Sequence, residues 1–264
     1  MTAIKDSVIW ITGASSGIGE AIAQACSAAG AHIIISARRA DELARVQATC
    51  DHQEKVYILP LDLAKQENMP DKTAEAIAAF GHVDILINNG GISQRSLIKE
   101  TLASVDRQIM EINYFGTIAL TKALLPHFIE RKSGHVATIT SLVGKFGTPL
   151  RSAYSASKHA LHGFFDAYRA EHYADGLKVT MICPGFIKTN VSVNALTAKG
   201  EKQNTMDQAQ ANGMSPETCA KHILSAIAKN KEEVYIGGKE IMGVYLKRWV
   251  PTLFSKILRK MKVT

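Results

Sequence analysis

At 264 residues and 46% hydrophobic content, the chain can bury one large core or two small ones. It has no run of roughly 18 uninterrupted apolar residues to span a bilayer and no signal-peptide pattern at its start, so a cytoplasmic protein is expected. Of the net charge of +7, seven basic residues (Lys239, Lys247, Arg248, Lys256, Arg259, Lys260, Lys262) against Glu240 place +6 in the tail; the near-neutral body argues against a broad nucleic-acid surface.

The β-branched run Ser7 to Thr12 reads as a buried strand. Gly13-Ala14-Ser15-Ser16-Gly17-Ile18-Gly19 follows, then a helical pattern from Ile18 to Ala29. Strands are expected at His32 to Ala37, Lys55 to Leu61, Val83 to Asn88, His135 to Ser141, Lys178 to Cys183 and Glu233 to Ile236. Helices are expected at Ala40 to Cys50, Lys65 to Phe80, about Ser104 to Arg131 with a break near Asn113, Ser152 to Ala174, and Glu217 to Lys229. Such alternation predicts an α/β fold: a Rossmann-like, doubly wound, parallel seven-stranded sheet in a single domain. The domain spans 1–238, and 239–264 forms a basic amphipathic tail. Ligands bind such sheets beyond the carboxyl ends of the strands.

The glycine-rich turn stands between a strand and a helix, where small residues let a pyrophosphate approach the backbone and the helix amino terminus favours an anion. Its G-x-x-x-G-x-G spacing lacks the G-K-[ST] ending of a nucleotide-hydrolysing loop. Ser15, Ser16 and Ile18 belong to the same turn. At the end of the second strand an acid would bind the ribose 2′-hydroxyl and an arginine the 2′-phosphate. Ser36-Ala37-Arg38-Arg39 has no acid before Asp41, so NADP(H) is expected, with Arg38 as main contact and Arg39 as helper. The alternative is a pair of solvated arginines at a helix start.

Tyr154-Ser155-Ala156-Ser157-Lys158 sets a phenol and an ammonium one turn apart on a helical face. A free tyrosine has a pKa of about 10, and lowering it by roughly 3 units takes about 4 kcal/mol. A cation at ~4 Å in an effective dielectric of ~20 supplies that much. The four cysteines, Cys26, Cys50, Cys183 and Cys219, are scattered, and no cysteine or histidine pair has metal-ligand spacing.

Thr12-Gly13-x-x-x-Gly17-x-Gly19, Asn88-Asn89-Gly90-Gly91, Asn113, Ser141, Tyr154-x-x-x-Lys158 and Pro184-Gly185 together resemble the short-chain dehydrogenase/reductase family in its single-domain form, over about residues 5 to 237. One departure is Gly90, where the family usually has alanine. The loss of that methyl is expected to loosen the turn. The resemblance implies a catalytic set of Asn113, Ser141, Tyr154 and Lys158: Tyr154 as general acid/base, Lys158 lowering its pKa and holding the nicotinamide ribose, Ser141 bonding the substrate oxygen, and Asn113 holding a water. It implies that Asp62 and Leu63 meet the adenine, that Asn89 and Gly90 line the adenosine ribose, and that Pro184, Gly185, Ile187 and Thr189 meet the nicotinamide end. It also implies hydride transfer between a nicotinamide and a carbonyl or alcohol in a homodimer or homotetramer; with the arginines after the second strand, an NADP-dependent enzyme for an apolar carbonyl or alcohol is expected. A non-catalytic NADP-binding sensor and a peripheral membrane protein are the alternatives.

Residues from about 186 to 214 show little apolar periodicity, as a substrate loop would. Phe146, Leu150, Phe186 and Val191 are candidate apolar lining, or ordinary core. In the tail, Leu253, Phe254, Ile257, Leu258 and Met261 fall on one helical arc, with Lys256, Arg259, Lys260 and Lys262 opposite. Docking on the body or a partner subunit, attachment to an anionic membrane at its inner face, and nucleic-acid contact are the three readings of that helix.

Overall fold

The computed structural model describes residues 1–260; Met261 and Lys262 of the expected tail helix lie outside them. Seven strands form one sheet in the order β3-β2-β1-β4-β5-β6-β7, and every pairing is parallel. They are β1 (Val8–Thr12), β2 (His32–Ser36), β3 (Val56–Ile58), β4 (Ile85–Asn88), β5 (Gly134–Ile139), β6 (Leu177–Pro184) and β7 (Glu233–Ile236). The strands are near-continuous apolar runs because both faces are covered. Ile9 and Ile11 of β1 enter one core, with Ile33, Ile35, Ile85 and Ile87; Val8 and Trp10 enter the other, with Ile34, Leu86, Val136 and Met181.

The helices α1 (Gly17–Ala28), α2 (Ala40–Ala48) and, near the end of the domain, α8 (Pro216–Ala228) close the first core through Ile22, Cys26, Leu43, Val46, Ile223 and Ile227. The second is closed by α3 (Met69–Phe80), α5 (Gly116–Arg131) and α6 (Ser152–Glu171), through Ala76, Leu120, Phe128, Leu161 and Phe165. Helix α4 (Ala103–Met110) runs into α5 through a π-turn over Glu111–Phe115. The break expected near Asn113 is therefore a widened turn, and Asn113 sits fully buried inside it.

Several expected limits shift for local reasons. The third strand is shorter than expected because Pro60 has no N–H to give the ladder. Pairing resumes on either side of it, with Leu59 N–H donating to Ile35 O and Leu61 N–H to Ala37 O, both at 3.0 Å. The helix expected from Lys65 begins as a 3₁₀ turn over Gln66–Asn68, and α3 takes over at Met69 with Pro70 in its first turn. In the 186–214 segment only α7 (Gln208–Ala211) is helical.

The tail holds two helices where the sequence suggested one: α9 (Met242–Trp249) and α10 (Pro251–Leu258). Pro251 excludes Val250 from helical geometry, and Val250 turns the chain at φ −134, ψ 61. One side of this pair docks on the body. Val244 and Phe254 are buried in a small cluster with Leu142, Val143, Phe146 and Cys183, and Phe254 meets Phe146 edge to face at 5.1 Å.

Candidate active site

The strand order reverses between β1 and β4, and a cleft of about 1400 Å³ opens at the carboxyl ends of the strands there. Its floor is the turn after β1. Gly13 takes φ +64, a conformation side chains resist, and a Cβ there would come within 2.7 Å of Gly90 Cα. Thr12 locks the two loops together, its hydroxyl oxygen accepting from the N–H groups of Asn89 and Gly90 at 3.0 Å each. The Asn89 amide donates to the carbonyls of Thr12 and Gly13 at 3.0 and 3.1 Å. With this turn leading into the amino terminus of α1, a dinucleotide fits: no side chain fills the cradle, and the first-turn amides of α1 lack helical partners.

Of the residues singled out from the sequence, Gly13, Ser15, Ser16, Gly17, Ile18, Arg38, Arg39, Asp62, Leu63, Asn89, Gly90, Ser141, Tyr154, Lys158, Pro184, Gly185, Ile187 and Thr189 all line the cleft. Gly19 and Asn113 do not. Gly19 lies under the turn, where a Cβ would strike the Gly13 carbonyl, so it serves the close packing of loop on helix. Asn113 stands behind the wall: its amide donates to Ile92 O at 2.9 Å and Ser157 Oγ at 3.0 Å, and its oxygen accepts from Ile92 N–H at 2.8 Å. With both ends of its side chain engaged by protein, it pins the loop after β4. Leu150, expected among the apolar lining, is also outside the cleft; it holds a left-handed φ of +66, while Phe146, Phe186 and Val191 do line the wall.

The expected looseness at Gly90 is absent. A methyl there would meet Leu63 Cδ1 at 2.7 Å, so the leucine already fills the space that alanine would take. Asp62 accepts from Ala64 N–H at 3.0 Å and also faces the cleft. At the end of β2, Ser36 is buried and accepts from the Trp10 indole at 2.8 Å. Arg38 is exposed on the cleft wall, while Arg39 pairs with Glu42 at 3.8 Å. Arg45, which sequence reasoning missed, reaches Ser15 O at 3.2 Å while bonded to Glu20 and Glu42.

Tyr154 and Lys158 do share a face of α6, with the ammonium 5.8 Å from the tyrosine ring centroid. The charge pattern differs from the expectation. Burial raises the Tyr154 pKa, and what pulls against it are the charges of Arg151 and Arg95 and a hydrogen bond with Ser141. Lys158 is buried and donates to Ile139 O at 2.9 Å, and burial brings its pKa down to about 8. Ser141, just past β5, also donates to Pro184 O at 3.3 Å.

Arg151 and Arg95 belong to a buried cluster that no sequence spacing reveals. Asp207 of the 186–214 segment receives Arg95 Nε at 2.7 Å and Arg151 Nη2 at 3.2 Å on one oxygen, and Gln203 at 3.1 Å on the other. Burial would raise the Asp207 pKa, but these bonds and charges hold it below the usual carboxylate range. Beside it, the Gln94 side-chain oxygen accepts from Ala153 N–H at 2.9 Å and so caps α6 just ahead of Tyr154. The sequence positions are up to 112 residues apart, which is why only the fold shows them.

The fold also gathers His162, Cys183 and Glu233, whose ligand atoms lie within 4.8 Å of one another although no sequence spacing suggested it. Lys145 holds the Glu233 carboxylate at 2.5 Å, and burial pushes the Cys183 thiol up to about 12. Both oppose a cation there.

The family model described as short chain dehydrogenase matches residues 7–200. The chain belongs to the short-chain dehydrogenase/reductase family. It is 43% identical over 261 residues to the mouse dehydrogenase/reductase SDR family member 7B, covering 97% of this chain and 81% of that protein. It is 42% identical over 262 residues to the Drosophila melanogaster dehydrogenase/reductase SDR family protein 7-like, covering 97% and 80%. Among solved structures, a short-chain dehydrogenase from Streptomyces avermitilis is 31% identical, with a TM-score of 0.81 over 97% of this chain and 98% of that one. A short-chain dehydrogenase/reductase from Burkholderia phymatum, solved with NAD, shares the fold at a TM-score of 0.85 and 22% identity, covering 96% of each chain. As a member of this family, the protein is an oxidoreductase of a family that binds a nicotinamide cofactor, and its Rossmann-like architecture agrees with that.

Proposed function

We propose that the protein is an NADP(H)-dependent oxidoreductase that interconverts a carbonyl and an alcohol on an apolar substrate, with Tyr154 as general acid/base. The observation that supports this best is the convergence of the Ser141 and Tyr154 hydroxyls on one cleft wall, with Lys158 one turn along and the glycine turn forming the floor. The nicotinamide supplies or accepts hydride when bound. Gly13 to Gly17, Asp62, Asn89 and Gly90 hold the adenosine half, and Pro184 to Thr189 border the other end. Ser141 positions the substrate oxygen. Tyr154 gives that oxygen its proton in reduction and takes it back in oxidation. In this reading Arg151 and Arg95 favour the phenolate, because their charges act on the phenol through a protein-lined wall. Lys158, with a pKa brought close to neutrality, is suited to resupply the proton.

The preference for NADP rests on Arg38. It stands exposed past the end of β2, where the sequence has no acid before Asp41, and it makes no ion pair among the described residues. Arg38→Ala is expected to raise KM for NADPH by about tenfold or more while leaving KM for NADH nearly unchanged. Equal effects on both cofactors would remove the NADP assignment. Tyr154→Phe should lower kcat by roughly 10²–10⁴-fold while cofactor affinity, read by quenching of protein fluorescence, stays intact. Near-normal turnover of a carbonyl panel by that variant would overturn the mechanism.

A further inference from the structure

One side of the α9–α10 pair packs on the body and the other is exposed. On α9, Val244 faces the body and Leu246 is half-buried against the same cluster, while Met242, Tyr245 and Trp249 are exposed, Tyr245 with its ring edge-on to Tyr235. Trp249 is 77% exposed and Met242 59%. On α10, Phe254 is buried while Leu253, half exposed at 50%, and Ile257 look outward. Large apolar side chains on two successive short helices therefore form one exposed patch. Lys247, Arg248, Lys256, Arg259 and Lys260 surround it, all exposed, and no acidic residue occurs from Ile241 to the chain end. The patch is continuous with the rim of the cleft, since Met242, Leu246, Phe254 and Ile257 also line that opening.

We propose that this surface docks the enzyme on an anionic membrane and holds the mouth of the substrate cleft against the lipid. Exposed Trp and Tyr with a lysine- and arginine-rich border are the composition of a helix lying in the headgroup layer. Acidic headgroups complement the five cations. A second copy of the chain fits less well: a two-fold contact sets the same patch against itself, and five cations would face five cations with no acid between them. No described helix is long and apolar enough to cross a membrane, so this surface would lie on the bilayer rather than span it. The delivery of an apolar substrate from the lipid rests on the oxidoreductase reading above; the docking itself does not.

The test is flotation of the full chain with vesicles of phosphatidylcholine containing phosphatidylserine, against vesicles of phosphatidylcholine alone. The variant is Trp249→Ser/Leu253→Ser, since both residues are exposed and neither lines the cleft. The parent chain should float with the acidic vesicles and about tenfold less with the neutral ones, and the variant should lose about tenfold of its acidic-vesicle binding. Circular dichroism and cofactor binding check that the variant is folded; if it is not, Lys247→Glu/Arg248→Glu takes its place with the same expected loss. Failure of the parent chain to float overturns the proposal. So does equal flotation of parent and folded variant, or a parent that sediments as a dimer which the variant breaks while neither floats. The flotation uses no substrate, so it stands or falls apart from the proposed reaction. For delivery, the variant should lose about tenfold in kcat/KM on a long-chain ketone embedded in the acidic vesicles and nothing on a short water-soluble ketone. Equal losses on both would overturn delivery.

Discussion

Lys158 shows what burial demands of a single charged residue. Its ammonium is buried against Ile139 O, and burial takes its pKa from an ordinary value of about 10.4 down to about 8. A base with a depressed folded pKa binds fewer protons folded than unfolded. Stability is therefore reduced below about pH 8 and recovered as pH rises toward about 10.5. Replacing the lysine by an isosteric apolar side chain removes that penalty. Lys158→Met is expected to abolish turnover yet raise stability to urea at pH 7 by about 1–3 kcal/mol, with the difference shrinking at pH 10. The lower figure allows for the lost bond to Ile139 O. A variant that is less stable at pH 7, or whose advantage does not change with pH, would show that burial does not strain this group. Gly90 illustrates a different lesson. The missing methyl suggested slack from the sequence, but the side chain that fills the space, Leu63, lies 27 positions earlier and is reached only through folding.

At the level of elements, the 186–214 segment is tied down more firmly than its polar composition implies. Leu196 N–H donates to Ser93 O at 2.9 Å and Arg95 N–H to Leu196 O at 2.8 Å, so the segment pairs briefly with the loop after β4. Asp207 then fastens it to Arg95 and Arg151 in a buried setting. Removing the carboxylate leaves two guanidiniums facing each other without their shared counter-charge. Asp207→Asn should destabilise the protein by about 3–5 kcal/mol. It should also let trypsin cut after the exposed Lys199 and Lys202 faster than elsewhere. Unchanged cleavage there, with unchanged thermal stability, would mean the cluster does not fasten the loop. The tail teaches the same lesson at its own scale. The apolar arc on α10 was visible in the sequence, and the second helix was not, because Tyr245 and Trp249 interleave with Lys247 and Arg248. The helix is clear once its Val244 side is seen against the body.

For the molecule as a whole, the sheet was legible because each strand is a compact β-branched run and each crossover a helical one. Those patterns are local; the strand order has no local pattern, and the right-handed crossovers of parallel units only narrow it. That the glycine turn, Arg38 and the Tyr154–Lys158 pair meet at one cleft was legible for the same reason, since each is a short spacing that carries its own geometry. What escaped was long-range polar pairing. Arg95, Arg151 and Asp207 carry no pattern in sequence, and neither does the Gln94 cap on α6. The sequence spacing points to Lys158 as the charge acting on Tyr154, whereas the charges that pull its pKa down are those of Arg151 and Arg95.

The contact of Phe254 with Phe146 has a practical corollary. Tyr154 packs at the edge of the same small cluster that receives Val244 and Phe254. A shortened protein ending near Gly238 would keep its sheet and glycine turn but lose one side of the chamber around Tyr154. Altered substrate selectivity in such a truncated protein would report the missing wall, whatever had happened to lipid binding. Only point changes on the outward residues can tell an anchor from a wall.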